Sequence, residues 1–594
     1  KPAQKLCNSA SIQPYSEVAI STSSSSKSSS GSNNNSHHST HEVTNQFPDW
    51  TDYDLLATDP ALNDALERAG AQWSQPALSA YAQQLGSART FEWAELANRH
   101  KPQLHSFDTR GRRVDRVEFH PAWHSLLGMY REQGLVSLAL EDEDGSPQKG
   151  RWVAWAAGFY LHGQVEQGTL CPATMTQASI PLLQREPALW AALGEKLRSR
   201  AYDERDVPAA EKKSIWIGMG MTEKQGGSDV RSNTTLARAV AGGGRGAEYA
   251  LTGHKWFYSA PMCDAHLVVV HLDDDNGPLG CFYVPRWRPD GRKNEVRVQQ
   301  LKDKVGNASN ASSEVEFEGA FGILVGEEGR GIPTIIEMAT YTRLNCVLGS
   351  AAILRSATVQ AIAYTRKRTA FGSVLAEQPL MRAVLADLAI ESEAALLLSM
   401  RLAQAYEDDA TGDPLARAWK RVMTPAAKFW VCKRGVELTG EAMEVFGGNG
   451  YVNESIVARL FREAPVNSIW EGSGNVMCLD VLRALSRERD ALQVLFADFS
   501  HAALDEPRLA KALHELHALF TAPPEQLEGI ARLLVQRLVL LAQACLLLRH
   551  APAAVSDAFI ATRLASPTGL SGVVGAIDTR GMDIDALLER ALPR

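Results

Sequence analysis

The sequence predicts an α+β protein of several domains, with an N-terminal α-helical domain, a central antiparallel β domain and a C-terminal helical bundle followed by an extra helical region. Three observations support this prediction. Apolar residues recur at helical spacing before residue 214 and again after residue 325. Between these points, short β-type runs alternate with Gly, Asp, Asn and Pro turns. A chain of 594 residues also exceeds what one compact core accommodates.

Changes in composition place the boundaries of these regions. Residues 1–46 are rich in Ser, Asn and His and hold few residues that build a core, so they predict a disordered low-complexity tail. This tail has neither the apolar segment of a secretory signal nor the arginines of a mitochondrial transit peptide. The regions that follow are the N-terminal helical domain at 47–213, the β domain at 214–325, the helical bundle at 326–485 and the extra helical region at 486–594.

The N-terminal domain shows helical spacing in segments such as Pro60–Ala69 and Pro187–Leu197. Within it, His120 and His124 stand four residues apart, which places two imidazoles on one helix face. A metal site requires further ligands, and no third ligand pattern accompanies this pair. We therefore predict that these histidines pack or cap a helix.

The β domain and the regions after it are predicted from shorter patterns. The β-type runs are Ser214–Met221, Glu248–Leu251, His266–Leu272, Leu279–Val284 and Ser313–Phe317. The long helices predicted for the bundle are Pro379–Tyr406 and Leu415–Phe446, and those of the extra region include Leu509–Phe520 and Gln526–Leu548.

Net charge, cysteine spacing and the apolar runs indicate which partners and which cellular location to expect. A net charge of -8 and a pI near 6.1 give no general electrostatic reason to bind nucleic acid or anionic lipid. The eight cysteines are dispersed without a C-x-x-C pair, which indicates reduced thiols and a cytoplasmic location. The most apolar run, Leu533–Leu548, is interrupted by polar residues and shorter than the roughly 20 residues of a membrane span. It predicts a buried helix and no membrane partner.

One carboxylate stands out as a candidate catalytic group. Glu471 lies in the segment Pro465–Asp480, between the bulky Trp470 and the flexible run Gly472-Ser473-Gly474. A glutamate beside a large ring and two glycines can be held in a dry pocket with backbone close to a ligand, as a general base requires. An ordinary turn with Glu471 directed to water is the alternative.

Two stretches of the β domain carry candidate cofactor contacts. Gly220–Asp229 directly follows a predicted strand and places the hydroxyls of Thr222 and Ser228 in a glycine-containing turn, where backbone N–H groups can bind phosphate or the polar edge of an isoalloxazine ring. A surface turn is equally compatible with this spacing. In Gly253–Ser259, Trp256 could cover one face of a planar cofactor, or it could be a core residue.

Three motifs resemble those of a known family. GMTEKQGGSDVRS at Gly220–Ser232 and EVFGGNGYVNESIVARLFRE at Glu444–Glu463 resemble the signature segments of the acyl-CoA dehydrogenase flavoproteins. RTAFG at Arg368–Gly372, followed by Gln378, resembles the stretch with which those enzymes bind the adenine and pyrophosphate of FAD across a dimer contact. TPAAKFW, NSIWEGSGN and the extra C-terminal segment are similar to the alkylation-response branch of the family, so that the resemblance extends from about Phe47 to near the end.

The resemblance implies FAD as cofactor and a role for individual residues. Glu471 falls where the family carries its catalytic base, and Arg343 matches an arginine on the CoA side. The residues implied on the flavin side are Met221, Thr222, Gly227, Ser228, Trp256, Ser259, Trp470, Gly472, Ser473 and Asn475. Those implied to hold the adenine half from a neighbouring subunit are Arg368, Phe371, Gln378, Gly447 and Gly448. Such sharing implies a homo-oligomer, in this family commonly a tetramer built as a dimer of dimers.

Two functions follow from the resemblance. The first is α,β-dehydrogenation of a short or branched acyl-CoA, with proton abstraction by Glu471 and hydride transfer to the flavin. The second is a flavoprotein that binds DNA or another partner and protects against alkylation with little turnover. DNA binding requires clustered Lys and Arg, yet Ala484–Arg594 holds 11 Lys and Arg against 13 Asp and Glu. Only a narrow stripe of Arg532, Arg537 and Arg549 remains as a candidate DNA contact.

Some residues near the predicted base depart from the family pattern. Trp470 stands where many relatives have a smaller or phenolic ring, and its indole could fill part of an acyl pocket. Arg483 lies twelve residues beyond Glu471 and could pair with it if a helix intervened. For Arg343, an ion pair on a helix surface is an equal alternative to a role beside CoA. An oxidase that passes electrons to oxygen is a third function that the motifs do not separate.

Overall fold

The computed structural model of this protein describes residues 40–141, 147–273, 277–565 and 572–594. Most of the predicted disordered tail, residues 1–39, lies outside the described residues, as does Cys7. From Phe47 onward the fold has the predicted order: helices, then a β-sheet, then helices to the C-terminus.

The N-terminal region is helical with one β-hairpin. Its elements are α1 (Pro60–Arg68), α2 (Gln75–Gly86), α3 (Ala88–Arg99), β1 (Gln103–Phe107), β2 (Arg113–Glu118), α4 (Pro121–Glu132), α5 (Arg151–Gly163), α6 (Leu170–Gln184) and α7 (Pro187–Arg198). His120 is the N-cap of α4, and its Nδ1 accepts a hydrogen bond from the Ala122 N–H at 3.2 Å. His124 bonds to the Tyr202 hydroxyl at 2.7 Å. The predicted capping and packing roles are confirmed.

A seven-stranded sheet follows. Its strands are β3 (Ile217–Gly220), β4 (Leu236–Ala239), β5 (Glu248–Ser259), β6 (Ala265–Leu272), β7 (Leu279–Pro285), β8 (Val296–Leu301) and β9 (Ser312–Val325). The pairs β4–β5, β5–β9, β9–β7 and β7–β6 are antiparallel, but β6 pairs in parallel with β3 and β4. The predicted antiparallel sheet is therefore a mixed one, in which β6 pairs in parallel with β3 and β4 and antiparallel with β7.

The helical bundle is built around one long helix. Its elements are α8 (Gly331–Thr365), β10 (Thr369–Ala370), β11 (Ser373–Val374), α9 (Pro379–Asp409), α10 (Pro414–Ala418), α11 (Thr424–Val445), α12 (Ile456–Asn467) and α13 (Gly474–Arg487). α8 is buried along almost its whole length after its first two turns. The prediction of one helix over Leu415–Phe446 is confirmed, with a π-helical turn at Trp419–Met423 between α10 and α11. Pro425 has no N–H with which to continue the hydrogen-bond ladder of that turn.

The extra C-terminal region packs on the bundle. Its helices are α14 (Arg489–Ala502), α15 (Pro507–Phe520), α16 (Pro524–Leu527), α17 (Ala531–His550), α18 (Ala553–Arg563) and α19 (Ile584–Ala591). Arg563 of α18 reaches two buried acids of α9, with Glu391 at 2.9 Å and Asp387 also paired to it. Arg590 of α19 pairs with Glu393 at 3.0 Å. These ion pairs tie the extra region to α9.

Two helices, α8 and α17, are long and apolar enough to cross a membrane by length and composition alone. Both are largely buried against other parts of this protein. The predicted buried helix near Leu533–Leu548 is confirmed by α17, whose apolar residues face the bundle.

Candidate active site

A cavity of about 1690 Å³ lies between the sheet, α6, α8, the π-helical turn and the loop that joins α12 to α13. Most residues predicted for the site meet in it. The predicted residues that line the cavity are Met221, Thr222, Gly227, Ser228, Ser259, Arg343, Trp470, Glu471, Gly472 and Ser473. Segments more than 200 residues apart in the sequence thus contribute to one space.

Glu471 is half-buried in this cavity, which excludes the alternative of a turn directed to water. Its Oε2 accepts a 2.6 Å hydrogen bond from the Thr342 hydroxyl of α8. Burial raises the pKa of Glu471 above its ordinary value, while the Thr342 bond and the charges of Lys428 and Arg343 act in the opposite direction. A carboxylate held in this way is a suitable general base.

The loop that carries Glu471 is held by two cations through its backbone. Glu471 has a φ of +59°, a left-handed conformation that non-glycine residues rarely adopt. The buried Lys428 of α11 donates from Nζ to the carbonyls of Gly472 at 2.7 Å and Asn467 at 3.1 Å. Arg343 donates from Nε to the Glu471 carbonyl at 3.1 Å. These bonds hold the strained loop in place.

Asp480 forms ion pairs with three arginines near Glu471. Arg343 is buried and its Nη1 lies 2.8 Å from Asp480, so the alternative of a surface ion pair is wrong. Arg421 also pairs with Asp480, at 3.2 Å. The predicted pairing of Arg483 with Glu471 is wrong, since α13 directs Arg483 to Asp480 at 3.5 Å, three residues back along the same helix.

The turn after β3 forms the other wall of the cavity. Lys255 donates from Nζ to Glu223 at 2.6 Å, and both side chains are fully buried. Burial lowers the pKa of Lys255 to about 8 against the pull of Glu223. Burial works to raise the pKa of Glu223, but Lys255 and the Thr234 N–H outweigh it and hold this pKa at about 2. The Lys255–Glu223 pair supports the turn. Asn233 supports it as well, since its Nδ2 donates to the Met221 carbonyl at 3.0 Å.

The prediction for Trp256 is corrected by the structure. Phe257 and Ser259 line the cavity, whereas Trp256 does not. The Nζ of Lys302 lies 3.2 Å from the centroid of the Trp256 ring. The pairing of β5 with β9 shifts register between Lys255 and Tyr258, so simple alternation along the strand fails at this point. Phe257, which the sequence reasoning missed, occupies the place predicted for Trp256.

Other predicted cofactor residues lie outside the cavity of their own chain. Asn475 is exposed at the start of α13 and does not line it, in contrast to the prediction. Arg368, Phe371 and Gln378 belong to the β10–β11 hairpin and its exit, and the Phe371 side chain is 100% exposed. Gly447 and Gly448 lie in the exposed 3₁₀ turn after α11. Their adenine contacts across a subunit boundary remain a prediction.

Several residues that shape the site were not predicted. Thr342 and Lys428 contact Glu471 or its loop from two different helices, and Asp480 of a third helix pairs with Arg343, which contacts that loop. Glu463 of α12 also lines the cavity, and its Oε1 accepts the Asn307 N–H at 2.6 Å. Burial, followed by the charge of Glu166, raises the pKa of Glu463 to about 7. Lys428 and Glu463 both fall inside quoted motifs, but nothing in the local pattern signals their contacts.

The candidate DNA-contacting arginines of α17 are engaged elsewhere. Arg549 pairs with Asp498 at 2.9 Å, and the Arg532 guanidinium lies 5.5 Å from the centre of the Phe429 ring. Arg537 is partly buried within the same helix. DNA binding through these arginines remains a prediction.

A helical domain, a β domain and a helical bundle that together enclose a carboxylate-bearing cavity are the architecture of the acyl-CoA dehydrogenases. Residues 218–320 match the family "Acyl-CoA dehydrogenase, middle domain" and residues 329–486 match "Acyl-CoA dehydrogenase, C-terminal domain". Residues 45–204 match "Adaptive response protein AidB N-terminal domain". The chain is 45% identical over 532 residues to AidB of Escherichia coli (strain K12), covering 89% of this chain and 96% of that protein. It belongs to the AidB branch of the acyl-CoA dehydrogenase family.

More distant relatives agree with this assignment. The chain is 29% identical over 448 residues to acyl-CoA dehydrogenase family member 11 of Caenorhabditis elegans, covering 73% of this chain and 71% of that protein. The crystal structure of C. elegans ACDH-11 in complex with C11-CoA aligns with a TM-score of 0.78 and 25% identity, over 93% of this chain and 94% of that one. The apo form of Bd2924 aligns with a TM-score of 0.78 and 26% identity, over 86% of this chain and 100% of that one. The acyl-CoA dehydrogenase family is flavin-dependent.

The turn after β3 fits a flavin. A Cβ at Gly227 would lie 2.4 Å from the Thr222 hydroxyl, so only glycine allows the chain to fold this closely beside Thr222. The turn brings the Thr222 and Ser228 hydroxyls to one wall of the cavity, with Ser259 on the adjacent strand. Hydroxyls and backbone amides in such a turn are suited to the polar edge and phosphates of FAD.

Proposed function

We propose that this protein is an FAD-dependent acyl-CoA dehydrogenase that removes hydrogen from the α and β carbons of a short or branched acyl-CoA. The observation that carries the proposal is the position of Glu471. This carboxylate is half-buried and oriented by Thr342, and it shares one cavity with the turn that fits a flavin. A base and a hydride acceptor must both reach the substrate in this reaction.

In the proposed reaction Glu471 takes the proton from the carbon α to the thioester. Thr342 orients the carboxylate, and Lys428 and Arg343 lower the cost of its charged form. FAD, when bound, supplies the acceptor for the hydride that leaves the β carbon. Because both carbons must be held at once, positioning by the cavity can supply several kcal/mol of the barrier, on the order of 7 or more in favourable cases.

In the proposal, residues of two subunits bind each FAD molecule. Met221, Thr222, Ser228 and Ser259 hold the flavin half in their own subunit. The exposed Phe371 hairpin and the Gly447–Gly448 turn hold the adenine half of a neighbour. The Phe371 side chain is 100% exposed, so a neighbouring subunit can reach it. In the proposal two such dimers assemble into the homotetramer common in this family.

The test is an anaerobic titration of purified, FAD-reconstituted protein with straight and branched acyl-CoAs, followed by visible absorption. A flavin band that bleaches with a thioester supports the proposal and identifies the substrate. Glu471→Gln should keep the oxidised band and lose at least about a hundredfold in reduction rate, the usual contribution of a general base. Glu525→Gln, a change at an exposed carboxylate, is the matched control.

Two results would contradict the proposal. If no flavin band appears after reconstitution, the cofactor assignment fails. If the band appears but no thioester bleaches it, dehydrogenation fails and binding of a partner becomes the leading function.

A further inference from the structure

One side of α13 lines the active-site cavity and changes from apolar to cationic along its length. The residues of this side are Val476, Leu479, Asp480, Arg483 and Arg487. Their spacing places them on one face of a helix. Val476 lies against the loop of the base, since a Cβ at Gly472 would stand 3.3 Å from its Cγ1. Arg487 lies about 16 Å further along the axis, at the rise of an α-helix. The face therefore leads outward from Glu471.

The outer end of this face lies where the cavity opens to solvent. Three apolar residues line the cavity and are nevertheless exposed, namely Ile336, Ile469 and Leu479, and we call them the mouth. Arg483 and Arg487 line the cavity beyond Leu479 on the same helix face. The Arg483 side chain is 55% exposed, and Arg487 is exposed as well. Both guanidinium groups are therefore accessible to a molecule that enters through the mouth.

Positive charge is in excess at this opening. Asp480 is shared by three guanidinium groups, those of Arg343, Arg421 and Arg483. Arg487 forms no ion pair with a carboxylate in residues 40–141, 147–273, 277–565 or 572–594. The cavity as a whole is lined by seven Lys and Arg against four Asp and Glu, although the chain carries a net charge of -8. Such a concentration of one sign in a cleft attracts a ligand of the opposite sign.

The arginine expected on the CoA side is not available for this ligand. Arg343 is buried, pairs with Asp480 at 2.8 Å and donates to the Glu471 carbonyl, so it is engaged in holding the loop of the base. CoA carries its thioester at one end of a long pantetheine arm and its phosphates at the other. Val476 and Leu479 suit the arm, and the arginines beyond them suit the phosphates, which guanidinium groups bind well.

A small anionic ligand fits this arrangement better than a nucleic acid. A duplex requires cations spread over an extended surface. Here the unpaired charge stands at the end of one helix, beside the apolar Ile469, whose side chain is 66% exposed. An apolar surface of this kind contributes nothing to contacts with a phosphate backbone, whereas it can cover part of a pantetheine arm.

We propose that Arg487, together with Arg483, recognises the 3′-phosphate of CoA, so that the protein distinguishes acyl-CoA from thioesters on carriers without this phosphate. The 3′-phosphate belongs to the nucleotide end of CoA, remote from the thioester, as Arg487 is remote from Glu471. This inference rests on the proposed dehydrogenase function and makes the carrier of its substrate more specific. Arg487 is a specificity-determining residue in this scheme and takes no part in proton abstraction.

The test compares the binding of S-butyl-CoA and S-butyl-dephospho-CoA to the FAD-loaded protein by titration calorimetry. These thioethers lack the carbonyl that makes the α proton acidic, so they bind without reacting. The unaltered protein should bind the CoA analogue about tenfold or more tightly, the usual effect of a hydrogen bond between charged groups. Arg487→Gln should weaken the CoA analogue to the level of the dephospho analogue and leave the affinity for the latter unchanged. Added salt should narrow the preference of the unaltered protein.

Two variants separate recognition from general effects of charge and folding. Arg110→Gln changes an exposed arginine that does not line the cavity, and it should retain the full preference. Arg487→Lys retains the charge and should retain part of the preference. Equal dissociation constants in the unaltered protein, or an unchanged preference in Arg487→Gln, would overturn the proposal. Displacement of S-butyl-CoA by a short DNA duplex, with equal affinity for the two analogues, would overturn it in favour of nucleic acid.

The result is distinguishable from failure of the dehydrogenase function itself. If no thioester bleaches the flavin but Arg487→Gln removes a tenfold preference, recognition of the 3′-phosphate is supported and dehydrogenation fails. If thioesters bleach the flavin but both analogues bind equally, dehydrogenation is supported and the recognition fails. If neither analogue binds, the recognition fails as well.

Discussion

Asp480 lies 2.8 Å from the guanidinium of Arg343, the side chain that donates through Nε to the backbone carbonyl of Glu471. The positive charge of Arg343 is therefore largely neutralised where it contacts the base. Lys428, the second cation of the loop, donates to two backbone carbonyls and forms no ion pair with a described carboxylate. The two cations thus differ in how strongly they favour the ionised form of Glu471, and each can be tested separately.

Replacing Lys428 by Met should move the pH dependence of flavin reduction to higher pH. The Lys428 charge lowers the pKa of Glu471, so its removal leaves burial less opposed and the carboxyl protonated over a wider range. The variant also leaves the carbonyls of Asn467 and Gly472 without their donor, at a cost of about 2 kcal/mol in the free energy of unfolding. The measurement is the reduction rate against pH. Lys428→Arg retains the charge and should retain the midpoint; a midpoint that does not move in Lys428→Met would rule out the electrostatic role.

Asp480→Asn should move the same midpoint in the opposite direction. Removing the carboxylate frees the charge of Arg343 beside Glu471, which favours the ionised base and lowers its pKa. The reduction rate should then remain high at lower pH than in the unaltered protein. Asp578→Asn, at a solvent-exposed ion pair far along the chain, is the control and should have no effect. A shift to higher pH would show that Asp480 acts only by holding Arg343 in place.

Removing one partner of the buried Lys255–Glu223 pair should destabilise this protein more than removing one partner of an exposed pair. Lys255→Met leaves the Glu223 carboxylate fully buried without its partner, a change that typically costs about 3 to 5 kcal/mol. Because the pair supports the turn of Met221 and Thr222, the variant should also retain FAD poorly. Denaturant unfolding and the flavin-to-protein absorbance ratio measure the two effects.

The matched comparison uses the exposed pair of Lys511 and Glu515, where Lys511→Met should change stability by less than about 0.5 kcal/mol. The double variant with Lys255→Met and Glu223→Gln should recover part of the loss, since no charge is then left buried. A double variant no more stable than Lys255→Met would indicate that packing of the lysine stem dominates.

The site could be predicted where one short segment carries it. The turn at Met221–Ser228 and the loop at Trp470–Ser473 are local motifs. Spacing and resemblance are sufficient to predict that both segments line the cavity. The contacts between segments could not be predicted in this way. Thr342 meets Glu471 across 129 residues, and Lys428 meets Gly472 across 44, on helices whose relative rotation no local pattern specifies.

The remaining differences from the prediction have local physical causes. Trp256 is predicted to contact the cofactor because it lies in a strand motif that resembles the family, but the irregularity of β5 after Lys255 brings Phe257 to the cavity instead. The helix predicted over Leu415–Phe446 contains a π-helical turn just before Pro425, which lacks an N–H donor. Hydrophobic periodicity detects neither a bulge nor a single missing N–H.

Glu463 should make the stability of this protein fall as the pH rises from about 4.5 to 7. Burial and the charge of Glu166 raise the pKa of Glu463 to about 7, whereas the same carboxyl in an unfolded chain titrates near 4.5. Between these values the folded state keeps a proton that the unfolded state has lost, so the free energy of unfolding decreases with rising pH. The total change across the window is about 3 kcal/mol.

Glu463→Gln removes this titration but keeps an oxygen to accept the Asn307 N–H. We therefore expect the variant to gain stability relative to the unaltered protein as the pH rises, with the difference growing up to about pH 7 and then remaining constant. Urea unfolding of both proteins at a series of pH values between 4.5 and 8 measures it, with Glu525→Gln as an exposed control. A difference between Glu463→Gln and the unaltered protein that is the same at every pH would mean that Glu463 titrates normally in the folded state, with its charge satisfied inside the cavity.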